Sequence, residues 1–265
     1  MIESNKNQQV KNLTALIKKN KERKSQGVYV VEGPRMFYEA PKSDLVKAYL
    51  SQTFYEKMED KNILDGMDME ILRDDVYEYV SDTKTPQGVM CIMKQKGYKV
   101  SDIIESTVSG DCEKKPQFLM LIENLQDPGN LGTIIRAAEG AGVSGVIMSP
   151  NTVDIYNPKT IRSTMGAIYR VPFAYAEDFH ASMSMVKSAG IKIYAAHLRG
   201  QKSYDECELD KPTAFIIGNE GNGITDETAR AADELVIIPM LGKVESLNAA
   251  VAATILMYET ARQRR

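Results

Sequence analysis

Three stretches of this sequence hold polar and charged residues in settings suited to chemistry. The first, LIENLQDPGNLGTIIRAAEGAG at 121–142, passes from a predicted strand through a turn at Asp127, Pro128 and Gly129 into a helix with the apolar stripe Leu131, Ile134, Ile135 and Ala138. Arg136 falls about 140° from Leu131 at 100° per residue, so it projects away from that stripe. Two readings of it stand. It forms a surface ion pair with Glu139 or Glu123, worth little to stability, or it clamps an anion or alkoxide beside the end of a strand, where open α/β sheets bind ligands. The second stretch, FIIGNEGNGIT at 215–225, runs a hydrophobic strand into Gly218, Gly221 and Gly223. Those glycines make a tight strand-to-helix turn or let backbone approach a ligand, and Glu220 among them is suited to accept hydrogen bonds from a ligand or an arginine. The third, IPMLGKVESLNAAVAA at 238–253, sets Ser246, Leu247 and Asn248 where a loop becomes an apolar helix, which an N-cap by Ser246 would explain. A cap leaves the preceding Pro239, Met240, Leu241 and Gly242 unexplained; this apolar turn is suited to enclosing an adenine ring and a thioether chain.

The elements that must position these loops follow from periodicity. Apolar runs at 118–122, 145–148, 191–196, 214–217 and 235–238 alternate with helical stretches, which predicts an α/β domain with a parallel sheet covered on both faces. A last helix is predicted over 246–262, with Leu247, Val251, Thr254, Ile255 and Tyr258 on one face. Upstream, Val10, Leu13, Leu16 and Ile17 recur at helical spacing, and short strands at 28–31, 46–50, 69–72 and 89–93 follow. Residues 1–95 are therefore read as a small α/β domain, 96–116 as a polar linker and 117–265 as the second domain. Gly140, Gly142 and Gly145 spell G-x-G-x-x-G, but a helical stretch precedes them and a strand follows. That order is the reverse of a dinucleotide site, so the glycines are expected to end a helix and turn into a strand.

Bulk properties narrow the class. The 265 residues are 43% hydrophobic and 26% charged, ordinary for a globular chain with a real core. No apolar signal region opens the sequence and no stretch approaches the roughly 20 apolar residues of a membrane span, so a soluble, cytoplasmic protein is expected. Cys91, Cys112 and Cys207 are odd in number and scattered, suggesting neither a disulfide framework nor a metal site. The net charge of −3 speaks against a polyanionic partner. Its distribution speaks the other way: Lys6, Lys11, Lys18, Lys19, Lys21, Arg23 and Lys24 crowd the start, and Arg262, Arg264 and Arg265 close the chain. A solvated surface and an electrostatic footprint for nucleic acid both fit these runs.

Taken together and in order, the three stretches closely resemble motifs 1, 2 and 3 of the SpoU/TrmH RNA ribose methyltransferases of the SPOUT superfamily, over residues 118 to about 262. GVYVVEGPRMFYEA at 27–40 resembles part of that family's small, L30e-like, RNA substrate-binding domain. The resemblance implies a C-terminal SPOUT domain with a deep trefoil knot, a homodimer, and methyl transfer from S-adenosylmethionine to a ribose 2′-hydroxyl without a metal. It implies Arg136, Asn130, Glu220, Ser246 and Asn248 as active-site residues, and Leu198, Gly218, Ile238, Met240 and Leu247 as cofactor contacts. Large-subunit rRNA is the expected substrate, by analogy with relatives that carry such an N-terminal domain; tRNA methylation and a catalytically silent RNA-binding or assembly factor are the alternatives. His180 and His197 lie outside the motifs, and His197 is read as structural. Arg162 and Arg170 make their region more basic than is usual in the family, and Lys243 and Glu245 in the third loop have no assignable role.

Overall fold

The computed structural model describes residues 1–105 and 116–265. Cys112 and residues 106–115 of the predicted linker lie outside these. The described residues form two compact units: Met1–Lys96 with Asp154–Tyr169, and Gly97–Val153 with Arg170–Arg265.

In the first unit, strands β1 (Val28–Glu32), β2 (Leu45–Ser51), β3 (Met69–Leu72) and β4 (Val89–Lys94) stand at the predicted places and pair in the order β1-β4-β2-β3. Only β2 and β3 run parallel. The predicted first helix is Gln8–Lys18, started by Asn7, whose side chain accepts the Gln9 amide. Its stripe Val10, Leu13, Leu16 and Ile17 is buried against Val30, Tyr49, Leu72 and Ile92 of the sheet, and each such side chain contributes about 1.5–3 kcal/mol of apolar burial.

Arg23, counted above with the basic run, does not belong to it. In the helix Asn20–Gln26 its side chain is 4% exposed, pairs with Asp154 at 2.6 Å, and donates to the Leu16 and Ile17 carbonyls at 2.8 and 3.0 Å. Those carbonyls sit at the end of the first helix, where no intrahelical partner remains. The guanidinium thus closes a helix corner and ties the distant segment Asp154–Tyr169 into the unit. The lysines of the run are exposed.

The second unit carries β5 (Phe118–Ile122), β6 (Gly145–Met148), β7 (Phe173–Tyr175), β8 (Lys192–Ala196), β9 (Lys202–Ser203), β10 (Thr213–Ile217) and β11 (Glu234–Ile237). Their order is β7-β6-β5-β10-β8-β11-β9, parallel throughout, as the alternating pattern predicted. Edge strands β7 and β9, of three and two residues, were not foreseen. Leu119, Leu121, Ala214 and Ile216 pack with the helices Val100–Glu105 and Phe179–Ser188. Their neighbours Phe118 and Phe215 meet edge to face, and the helices Pro128–Ala141 and Ala249–Gln263 pack against each other. Both faces of β5, β6 and β10 are therefore covered, and every residue in them is buried.

Gly142 ends the helix Pro128–Ala141 in the left-handed region at φ 77°, and β6 begins at Gly145, so the glycine run performs the helix-to-strand turn expected of it. The final helix differs from expectation in two ways. Asn248, not Ser246, caps it, accepting the Ala250 and Val251 amides. Its buried face is Ala249, Ala250, Ala253, Leu256, Met257 and Thr260, while Val251 and Tyr258 of the predicted face are exposed. Two apolar stripes compete on this helix, and the alanine-rich one permits the closer approach to its neighbours.

Candidate functional site

The C-terminal ends of β5, β10, β8 and β11 deliver the loops that carry the candidate residues, all within the second unit. After β5 the chain turns through Asn124, at φ 54°, to Asp127, whose side chain caps the next helix by accepting the Asn130 amide at 2.8 Å. Pro128 fills the first helical position, where no amide is needed. After β10, Asn219 folds the loop back: its backbone exchanges two 2.9 Å hydrogen bonds with Gly223, and its Oδ1 accepts the Gly221 and Asn222 amides. Gly218 has no room for a side chain, since a Cβ there would lie 2.2 Å from the Gly223 carbonyl carbon. That glycine serves close approach of the loop to itself.

Three of the predicted residues meet directly. Glu220 Oε1 accepts the Asp127 amide at 2.8 Å and Asn130 Nδ2 at 3.0 Å, and Oε2 accepts the Gln126 amide at 3.0 Å. Asn130 Oδ1 in turn accepts Asn248 Nδ2 at 2.9 Å. Residues from three segments, 90 and 118 positions apart in sequence, thus form one hydrogen-bonded chain. Partial burial works against the charge of Glu220, but the Asp127 and Gln126 amides and the Asn130 carboxamide prevail and hold its carboxyl below the usual glutamate range. Near neutral pH it is an anion that fixes Asn130 rather than Arg136.

Arg136 lies on the exposed face of its helix. The ion pairs considered for it are not made: Glu139 pairs with Arg170, and buried Glu123 accepts the Thr225 amide and the Thr225 and Thr228 hydroxyls. Among the described residues the guanidinium has no ion-pair partner. Arg162, the other arginine noted in that region, faces Asp82 at 3.4 Å in the first unit.

Beside the polar chain opens a cleft of about 260 Å³ lined by Leu198, Gly218, Ile238, Met240 and Leu247, with Glu220 and Ser246 contributing polar groups. All five residues expected to touch a cofactor are here. The cleft also takes Glu245, which had no assigned role, and His197. The His197 Nδ1 accepts the Arg199 amide at 3.0 Å, and burial together with the Arg199 charge lowers its pKa, so the ring is a neutral part of the turn after β8. Two positioning residues escaped the sequence reading. Asn219 Nδ2 donates to the Asn124 carbonyl at 2.9 Å, and Ser149 Oγ links the Asn124 amide and side chain, so these asparagines lock the first loop to the second. An asparagine beside a turn, able to adopt positive φ, was the only available sign.

Comparison with known proteins shows the family. Residues 117–258 match the SpoU rRNA Methylase family, and residues 7–91 match the MRM3-like substrate binding domain. The chain belongs to the SpoU rRNA methylase family. It is 33% identical over 258 residues to the 23S rRNA (guanosine(2553)-2′-O)-methyltransferase RlmP of Bacillus subtilis, covering 97% of each chain. It is 28% identical to the mitochondrial rRNA methyltransferase 3 of Homo sapiens, over 94% of this chain and 71% of that protein. Among solved structures, the AdoMet-bound rRNA methyltransferase of Sinorhizobium meliloti superposes with a TM-score of 0.83 at 29% identity, over 98% of this chain and 97% of that one. The α/β fold with a parallel sheet is thus that of the SpoU methyltransferases. Among the described residues no helix is long and apolar enough to cross a membrane.

Proposed function

We propose that this chain transfers a methyl group from S-adenosylmethionine to a ribose 2′-hydroxyl of large-subunit rRNA. The observation that carries the reading is the Glu220–Asn130–Asn248 hydrogen-bonded chain set beside an apolar cleft, with an arginine left free on the helix that bears Asn130. The cleft residues fit the donor. Ile238, Met240 and Leu247 offer apolar surface for a heterocycle and a thioether chain, and the close-packed loop at Gly218 keeps backbone, rather than side chain, at the wall.

When bound, the donor supplies an already electrophilic sulfonium methyl, so the protein's task is alignment and charge stabilisation. Asn130 and Asn248 orient the ribose, and Glu220 holds Asn130 in register through its amide anchors. The Arg136 guanidinium is a donor-only cation, so it stabilises the forming 2′-alkoxide instead of acting as the base, and water or a substrate phosphate takes the hydroxyl proton. Ser246, exposed in the cleft, offers a hydroxyl to substrate or donor. Residues 1–95 act as the RNA substrate-binding domain, joined by Asp154–Tyr169, which packs in the first unit; 96–116 is the linker, with its helix Val100–Glu105 packed on the second unit; and the rest of 117–265 is the methyltransferase domain, which includes the trefoil knot. The working form is a cytoplasmic homodimer. The names of the similar rRNA enzymes and the match at 7–91 support rRNA over tRNA.

The test is methyl transfer from labelled S-adenosylmethionine to unmodified large-subunit rRNA, with the product digested and mapped by mass spectrometry. A 2′-O-methyl nucleotide at a single position is expected. Methyl on a base, modification of tRNA alone, or no transfer would each overturn the proposal.

A further inference from the structure

The first unit holds a second cleft, of about 200 Å³, that the transfer reaction does not use. Thr14 and Ala15 of the helix Gln8–Lys18 lie between Lys11 and Lys18; Lys19, Tyr79 and the polar Asn5 complete the lining. Lys11 and Lys18 are seven residues apart, so they share a helix face and stand about 10 Å apart along its axis. The Thr14 hydroxyl turns inward to the Val10 carbonyl at 2.8 Å, leaving a smooth, small-residue floor. Tyr79 comes from the helix Asp74–Val80, where its neighbours Val76, Tyr77 and Val80 are buried but its own ring is 56% exposed. No acidic side chain lines the cleft, and none of the three ammonium groups joins a salt bridge among the described residues.

Three unpaired cations around an exposed aromatic face form a poor surface for a chain with no use for it. Lys18 alone would be explained by the negative end of its helix, but that account leaves Lys11, Lys19 and Tyr79 unexplained. From this arrangement we infer that the cleft is a binding site for an unpaired RNA segment: one base stacks on Tyr79 while Lys11, Lys18 and Lys19 take flanking phosphates. Stacking on an aromatic ring within a basic groove is how single strands are held without base-edge readout. The inference rests on RNA being the substrate, and it places the contact on an unpaired stretch distinct from the methylated ribose.

The test uses the full chain and a fluorescein-labelled single-stranded RNA of about 12 nucleotides, followed by anisotropy across a salt series. Tyr79→Ala should weaken binding about tenfold with the salt slope unchanged, and Tyr79→Phe should keep wild-type affinity because stacking needs only the ring. Replacing all three lysines by alanine should lower the slope of log K against log salt by about 2, at about 0.7 per phosphate on a single strand. All variants should bind S-adenosylmethionine as wild type does, which serves as the folding control. Wild-type affinity for Tyr79→Ala, or an unchanged slope for the triple lysine variant, would overturn the site. Displacement of the RNA by polyglutamate as readily as by unlabelled RNA, with Tyr79→Ala silent, would assign the cleft to an acidic protein surface and overturn it too. If these variants match a wild-type protein that binds and methylates rRNA, this site alone fails; if wild type does neither, the underlying reading fails.

Discussion

Glu220→Gln is the most informative single change, because it keeps the side chain's size while it removes the charge and turns one acceptor oxygen into a donor. The native carboxylate accepts two hydrogen bonds at Oε1, from Asp127 and Asn130, and one at Oε2, from Gln126. A glutamine can keep the first two with its carbonyl oxygen, but its NH2 group then faces the Gln126 amide. Hydrogen bonds to a charged group are worth about 1.5–3 kcal/mol each when shielded. Glu220 is open to solvent on one side, so screening reduces the total loss to about 1–2 kcal/mol at pH 7. For a chain of this size that corresponds to a fall in Tm of about 2–8 °C. The sign of the pH dependence follows from the lowered carboxyl pKa. A depressed folded-state pKa adds stability that is fully present above the unfolded value, about 4.3, and is lost as pH falls through the folded value. The gap between wild type and Glu220→Gln in urea denaturation should therefore be constant from pH 7 to about pH 5 and then shrink as the solution becomes more acidic. Methyl transfer should fall about tenfold for glutamine and about a hundredfold for alanine, which also frees Asn130. A stability gap independent of pH, or an alanine variant with wild-type turnover, would refute the role given to this carboxylate.

Arg136→Ala should lower single-turnover methyl transfer by at least about 10² while calorimetry finds the donor's affinity nearly unchanged; wild-type turnover on purified RNA would exclude the alkoxide role. Gly218→Ala, which drives a Cβ to 2.2 Å from the Gly223 backbone, should weaken donor binding at least about tenfold and lower Tm, whereas Gly221→Ala, whose nearest neighbour is 3.6 Å away, should be tolerated. Equal donor affinity for the two variants would contradict the crowding argument. Arg23→Met leaves Asp154 without its guanidinium and two helix-end carbonyls without a donor, so chemical denaturation should register a loss of about 3–5 kcal/mol, with the salt slope for RNA binding unaltered in the folded protein. A slope change matching that of an exposed lysine variant would return Arg23 to the basic surface.

Local features of this protein were readable in its sequence because their causes are local. Period-2 and period-3.6 patterns placed nine of the strands and the main helices, and the helix-first order around Gly140, Gly142 and Gly145 disposed of a misleading fingerprint. The short edge strands β7 and β9 carry too few residues for a pattern to register. On the last helix apolar residues stand on two stripes, so only packing against Pro128–Ala141 could choose between them. Charge counting misplaced Arg23, since residue type does not reveal that Asp154, 131 positions away, neutralises it inside the first unit. The candidate residues were picked out by motif, but which of them touch was a matter for tertiary structure. Glu220 could have served Arg136 or a substrate; in the fold it is occupied by two amides and Asn130, and Arg136 remains open. Hydrogen-bond partnership between loops depends on where strands 90 or more residues apart end in space, and the sheet order that decides this arises only when the whole core packs.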